Sequence, residues 1–135
     1  MAIAATETAP LISLTLPSDK HSAPMARFCI RAALAHHNLG GYGADAEMVA
    51  SELVTNAIKH AGAATLGLEL MHLGDSGMIA VIVTDSSVDP PVRRDPAEDT
   101  EHGRGLNIVE ALSAKWGWRP EGPGKAVYAI LARED

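Results

Sequence analysis

The chain has one cysteine, Cys29, so it forms no internal disulfide and fits a reducing compartment. Cys29 lies between Phe28 and Ile30 in a helical pattern, which predicts a buried packing thiol and not a nucleophile. Basic residues are few: 11 Lys and Arg stand against 17 Asp and Glu, for a net charge of −6. A general binder of nucleic-acid phosphates is normally basic, so that class is disfavoured. No apolar run reaches the roughly 18 residues of a membrane-spanning helix. The six histidines show no zinc-ligand spacing, and His36 and His37 are adjacent and face apart on a helix. Internal repeats and low-complexity tracts are absent. The first nine residues lack the basic and long apolar regions of a secretory signal. They read as part of a disordered tail over residues 1–10, with one domain over residues 11–135.

What is present suffices for a single core. Apolar residues make up 47% of the 135, and a chain of this size buries roughly two-thirds of its unfolded surface. The clearest element is a helix predicted over residues 44–61 and stopped by Gly62. Ala46, Val49, Ala50, Leu53, Val54, Ala57, Ile58 and Ala61 recur at i, i+3, i+4, i+7. Glu52, Asn56 and His60 follow one another at four-residue steps, so they form one ridge on the shoulder of the apolar arc, His60 nearest to it and Glu52 furthest. Thr55 and Lys59 point to water. The ridge alone reads equally as an ordinary mixed flank.

Alternation predicts a first strand over residues 11–16, ended by Pro17. A helix is expected over residues 23–37, capped by Ser22, with Met25, Phe28, Ile30 and Leu34 packing and Arg27 and Arg31 outward. A turn over residues 38–43 leads into the central helix. A strand over residues 65–73, a hairpin turn over 74–77 and an apolar central strand over 78–84 follow, the last ending at Asp85. Residues 86–102 carry prolines and charges without periodicity, as lids and binding loops do. A helix over residues 106–115, a short strand over 116–118, a turn over 120–124 and a strand over 125–131 complete the chain. The fold class is α+β, a two-layer sandwich with helices on one face of a largely antiparallel sheet.

Three polar groups fall in order: Glu52/Asn56/His60 on a helix, Asp85 at a strand end, and Gly103-Arg104-Gly105-Leu106 at a helix start. An Asn one turn from a Glu suits Mg²⁺, which keeps phosphate oxygens and water as ligands. An Asp at a strand end accepts a hydrogen bond from an exocyclic amine. Glycines at a helix N-terminus present N–H groups to phosphate.

Glu52 to Ala61 resembles the asparagine box of the superfamily of gyrase, histidine kinases and mismatch-repair ATPases (GHKL). Val83-Thr84-Asp85 is similar to its first glycine box and His102 to Leu106 to its second; Trp116 to Trp118 and Gly124 to Tyr128 continue the pattern. Among its families the chain looks most like the small anti-sigma-factor serine kinases, over residues 11–131. The resemblance implies a Bergerat-type ATP-binding fold, with ATP and Mg²⁺ as cofactors. It implies that Asn56 ligates Mg²⁺, Glu52 is the general base, and Asp85 holds the adenine amine. Gly103 and Gly105 would let backbone approach the phosphates, His60, Arg104 and Leu106 would join the ATP-binding set, and residues 93–101 would form the lid. A solvated Arg104 is an equal reading. The implied activity is a cytoplasmic serine/threonine-protein kinase and anti-sigma factor, regulating transcription by partner switching. Its implied partners are a sigma factor and an anti-anti-sigma antagonist; a homodimer is compatible, and neither nucleic acid nor membrane is contacted. The alternative is a non-catalytic ATP-binding regulator. A histidine-kinase catalytic domain or gyrase-like ATPase is disfavoured, since 135 residues leave no room for a phosphoacceptor helix pair or a transducer.

Two departures stand out. Both glycines expected after Asp85 are missing from Asp85-Ser86-Ser87-Val88-Asp89, which implies a reshaped adenine side. Ala126 stands where a Ser or Thr is often found, which removes a hydroxyl.

Overall fold

The computed structural model describes residues 10–42, 44–61, 64–87 and 104–133. Five strands form one sheet: β1 (Pro10–Pro17), β2 (Thr65–His72), β3 (Ile79–Asp85), β4 (Lys115–Glu121) and β5 (Gly124–Leu131). Their order is β1-β2-β3-β5-β4, and every neighbouring pair is antiparallel. Three helices pack against the sheet: α1 (Ser22–His36), α2 (Asp45–Ala61) and α3 (Arg104–Leu112). This is the expected α+β sandwich.

β3 explains the layering. Ile79, Val81 and Val83 are buried in the main core beneath the helices, together with Leu66, Leu68 and Leu70 of β2 and Val127, Ala129 and Leu131 of β5. Ala80 and Ile82 point to the opposite face, where they join Met71 and Ala126 in a smaller cluster. A strand buried on both faces reads as a continuous apolar run instead of an alternation.

α2 lies at the centre of the helix layer, packed on α1, α3 and β3. Its buried residues match the predicted stripe: Ala46, Val49, Ala50, Leu53, Val54 and Ala57. Asp45 and Glu47 sit in its first turn and Lys59 and His60 in its last, each sign favourable to the helix dipole. The expected stop, Gly62, lies outside the described residues, as do residues 1–9 of the expected 1–10 tail; Pro10, its last residue, is instead the first residue of β1, paired with Met71 of β2.

α1 departs from expectation in three ways. Ser22 is not its cap; it is buried within the first turn and its hydroxyl donates to the Pro17 carbonyl, tying the helix to the end of β1. Met25 and Phe28 are exposed, at 50% and 62%, because the side facing the core is Ala26, Ile30, Ala33 and Leu34. Arg27 and Arg31 do not simply face water: Arg27 Nη1 donates to Ser51 Oγ at 2.8 Å, and Arg31 Nη2 meets Glu47 Oε1 at 2.7 Å. The Glu47 hydrogen bond and charge raise the Arg31 pKa above its ordinary value. Both arginines thus clamp α1 onto α2. Cys29 is half-buried in an apolar cleft between α1 and β1, less enclosed than expected.

α3 ends at Leu112, three residues before the predicted limit, and β4 runs through Lys115–Glu121. Trp116 and Trp118 favour the extended state, and pairing with β5 in full register outweighs one more helical turn. Pro120 is tolerated because β4 is an edge strand. The predicted β2–β3 turn is a short 3-10 turn, Gly74–Ser76, with Gly74 and Gly77 at positive φ. Tyr42, which the sequence reading passed over, is buried, and its hydroxyl donates to the Gly77 carbonyl of that turn.

Candidate functional site

The best-defined part of the polar constellation lies at the end of β3, on the helix-facing side of the sheet. Asp85 is its last residue and sits directly opposite Lys125, the second residue of β5. Lys125 Nζ lies 3.0 Å from Asp85 Oδ1, and the two side chains are only 3% and 1% exposed. The Ser87 N–H also donates to Oδ1, at 2.9 Å, so the chain folds back on the carboxylate as it leaves the strand. Oδ2 is buried and, among the described residues, has no hydrogen-bond partner. Buried carboxylate oxygens are rarely left unsatisfied unless something else completes them. An exocyclic amine fits this acceptor, as does any other small donor.

The structure bears on both departures noted in the sequence, except at Asp89, the second of the two glycine positions, which lies outside the described residues. Among the described residues Asn38 alone has positive φ without being glycine, so Ser86 and Ser87 leave the strand without the left-handed conformation that glycine supplies. The Ser87 bond holds that exit in place. Ala126 does not bear on the site at all. It is buried on the opposite face of the sheet with Ala80 and Ile82, and the group that β5 turns toward the helix side at this level is Lys125.

Gly124 fixes how closely the two strands approach. A Cβ there would lie 1.8 Å from the Asp85 carbonyl oxygen and 2.7 Å from Ser86 Cα, both backbone atoms with no freedom to yield. Gly124→Ala is expected to push β5 from β3 at the carboxylate and to destabilise the fold by about 1–3 kcal/mol. Urea unfolding checks this; an unchanged midpoint would mean that the hairpin shifts without strain.

On α2, Asn56 is buried at 8% exposure, while Glu52 and His60, one turn to either side, are half-buried and each has an interaction partner. The most enclosed member of the ridge is thus its middle, not His60 as expected, because α2 is covered by α3 as well as by the sheet. Thr55 is half-buried and Lys59 exposed. Leu106 is fully buried and its side chain packs in the main core with Val109. Arg104 and Gly105 form the first turn of α3, which therefore opens two residues before the predicted start. Gly103, the expected lid over residues 93–101 and its Arg93-Arg94-Asp95 cluster lie outside the described residues. Among the described residues no group of three or more His, Cys, Asp or Glu side chains could hold a metal ion, and no helix is long and apolar enough to cross a membrane.

Lys125 was missed, although its signal is legible. It stands two residues before Val127 and four before Ala129, on an alternating face that is otherwise apolar. A lysine on such a face has to find a buried partner, and the β3–β5 register supplies Asp85.

The architecture is that of a helix-layered antiparallel sheet whose central strand ends in a buried carboxylate, with a helix carrying Glu, Asn and His packed on that strand. Residues 16–131 match the histidine kinase-like ATPase domain, and the chain belongs to that family. Among solved structures it is similar to the RsbU and RsbW domains of Rv1364c from Mycobacterium tuberculosis, with a TM-score of 0.68 and 22% identity, covering 93% of this chain and 32% of that one. The chain thus spans about a third of the length of that structure. The histidine kinase domain of the blue-light activated histidine kinase EL346 from Erythrobacter litoralis gives a TM-score of 0.49 and 22% identity, covering 79% of this chain and 59% of that one. No curated protein matches the chain.

Proposed function

We propose that this chain is a cytoplasmic ATP-binding anti-sigma factor and protein serine kinase that phosphorylates an anti-anti-sigma antagonist and so regulates transcription by partner switching. The observation that carries the ATP-binding part is the Asp85 carboxylate, buried at the end of β3 with Oδ1 held by Lys125 and Ser87 and Oδ2 left as an acceptor. Family membership supports the nucleotide, and the motif resemblance of residues 11–131 to anti-sigma-factor serine kinases supports the substrate and partners.

In this reading each residue has one task. Asp85 Oδ2 accepts from the adenine amine. Asn56, buried on α2, would hold Mg²⁺, which when bound would offset the charge of the phosphate oxygens. Glu52, one turn earlier, takes the proton from the attacking serine hydroxyl. His60 and the opening of α3, with Gly103, Arg104 and Gly105, line the remainder of the nucleotide. Leu106 anchors that opening by packing its side chain in the core.

The second reading, a non-catalytic ATP-binding regulator, is favoured by one observation: Ser87 stands where the Asp-x-Gly-x-Gly pattern has its first glycine, and its N–H is tied back to Asp85. Two measurements separate the readings and test the proposal. Calorimetry with ATP and Mg²⁺ is expected to show binding that weakens about tenfold to a hundredfold in Asp85→Asn, the loss of a hydrogen bond to a charged acceptor. No binding by the native chain at millimolar ATP would end the proposal. Incubation with labelled ATP and a candidate antagonist is expected to place label on serine; binding without label would select the second reading.

A further inference from the structure

We propose that Lys125 is a base-reading residue: its ammonium donates to adenine N1 while Asp85 accepts from the exocyclic amine, so the nucleobase is recognised by a donor–acceptor pair and not by the carboxylate alone. The inference rests on the ATP-binding reading above and adds to it the atom-level specificity.

The pair is an unusual thing to bury. Taking an ammonium and a carboxylate out of water costs more than their attraction commonly returns, and apolar side chains of similar size often serve stability as well or better. Here both groups are almost fully enclosed, at 3% and 1% exposure. The network is also incomplete within the protein. Oδ1 takes two donors, Lys125 Nζ and the Ser87 N–H, whereas Oδ2 takes none among the described residues. On the other side of the pair, among the described residues one of three ammonium donors is spent, on Oδ1. A half-satisfied buried network is costly by itself and is completed when a ligand supplies the missing partners.

The missing partners have a definite pattern. The free acceptor Oδ2 and the remaining ammonium donors belong to one ion pair, joined through Oδ1 at 3.0 Å, and a ligand that carries a donor and an acceptor side by side on one edge would complete it. The Watson–Crick edge of adenine does this, with the exocyclic amine as donor and N1 as acceptor. The backbone supports the arrangement. Asp85 and Lys125 are register partners across β3 and β5, and Gly124 brings the strands together where any side chain would collide. The two groups therefore keep a fixed spacing, as a reading pair requires.

The test uses the full chain with Mg²⁺ and three nucleotides: ATP, 1-deaza-ATP, in which N1 is replaced by C–H, and purine riboside triphosphate, which lacks the exocyclic amine. In the native chain 1-deaza-ATP is expected to bind about tenfold to a hundredfold more weakly than ATP, the cost of one lost hydrogen bond to a charged donor. Lys125→Met, which keeps length and apolar bulk, is expected to bind ATP and 1-deaza-ATP equally while still discriminating against the riboside analogue. Equal binding of ATP and 1-deaza-ATP by the native chain overturns the proposal whatever the variant does, so a poorly folded variant does not shelter it. A Lys125→Met chain that retains the full discrimination also overturns it, since Lys125 is then structural. Absence of binding by all three nucleotides removes the ATP-binding reading and the inference together, an outcome distinct from binding without discrimination.

Discussion

Glu52→Ala is expected to leave ATP binding intact and to lower phosphoryl transfer to serine by a factor on the order of 10²–10⁴, the usual effect of removing a general base. The position is compatible with so specific a loss. Glu52 is half-buried on α2 one turn before the buried Asn56, the residue proposed to hold Mg²⁺. Its neighbours Leu53 and Val54 hold the helix to the core, at 2% and 0% exposure. Truncating Glu52 therefore removes a carboxylate from the rim of the core without opening a cavity in it. Calorimetry reads the binding and label transfer to the antagonist reads the chemistry. Undiminished transfer would show that another group is the base.

The second large effect concerns stability. Asp85→Leu alone strands the Lys125 ammonium in a site with 3% exposure, and removing one partner of a buried pair costs about 3–5 kcal/mol. A domain of this size has about 5–15 kcal/mol in all, so the single variant is expected to sit near the limit of folding. The double variant Asp85→Leu with Lys125→Met removes both charges and is expected to recover most of the loss, because an apolar pair satisfies the same volume without desolvating ions. Urea denaturation of the native chain, both single variants and the double variant gives the coupling directly. A cost below about 1 kcal/mol for Asp85→Leu would mean that water reaches the ammonium in solution, and the pair would then be worth what a surface pair is worth.

Much of the architecture was readable because its signals are periodic. The stripe on α2 and the unbroken run of β3 each have one structural solution, and together they place a helix over a central strand. What failed was information that periodicity does not carry. Met25 and Phe28 satisfy the helical period of α1 but fall on its outer side, since an amphipathic pattern shows that a stripe exists and small residues such as Ala26 and Ala33 decide which side fits closest to the sheet. The end of α3 was misplaced because Lys115 to Glu121 gains its strand state from β5, a partner distant in sequence. The same reason hid the Asp85–Lys125 pair: each residue is ordinary alone, and only the register of two strands makes them neighbours. Reading Ala126 as the relevant departure was a slip of one residue, and in a strand one residue is a change of face.

The sheet order also governs how the molecule comes into being. The partners that join β3 to β5 are all distant in sequence, and even Asp85 and Lys125, the nearest of them, are 40 positions apart, while β4 and β5 are joined by a two-residue turn at Gly122 and Pro123. During synthesis β3 is therefore complete long before the strand that covers its free edge exists. Until then Ile79 to Val83, five apolar residues with high strand propensity and no charge, present an open edge, the kind of segment that recruits other chains. The β4–β5 hairpin forms locally and docks late, and its arrival closes the edge and brings Lys125 to Asp85 in the same event. A chain stalled or truncated before Gly124 should for that reason aggregate without ever acquiring the base-reading end of the site.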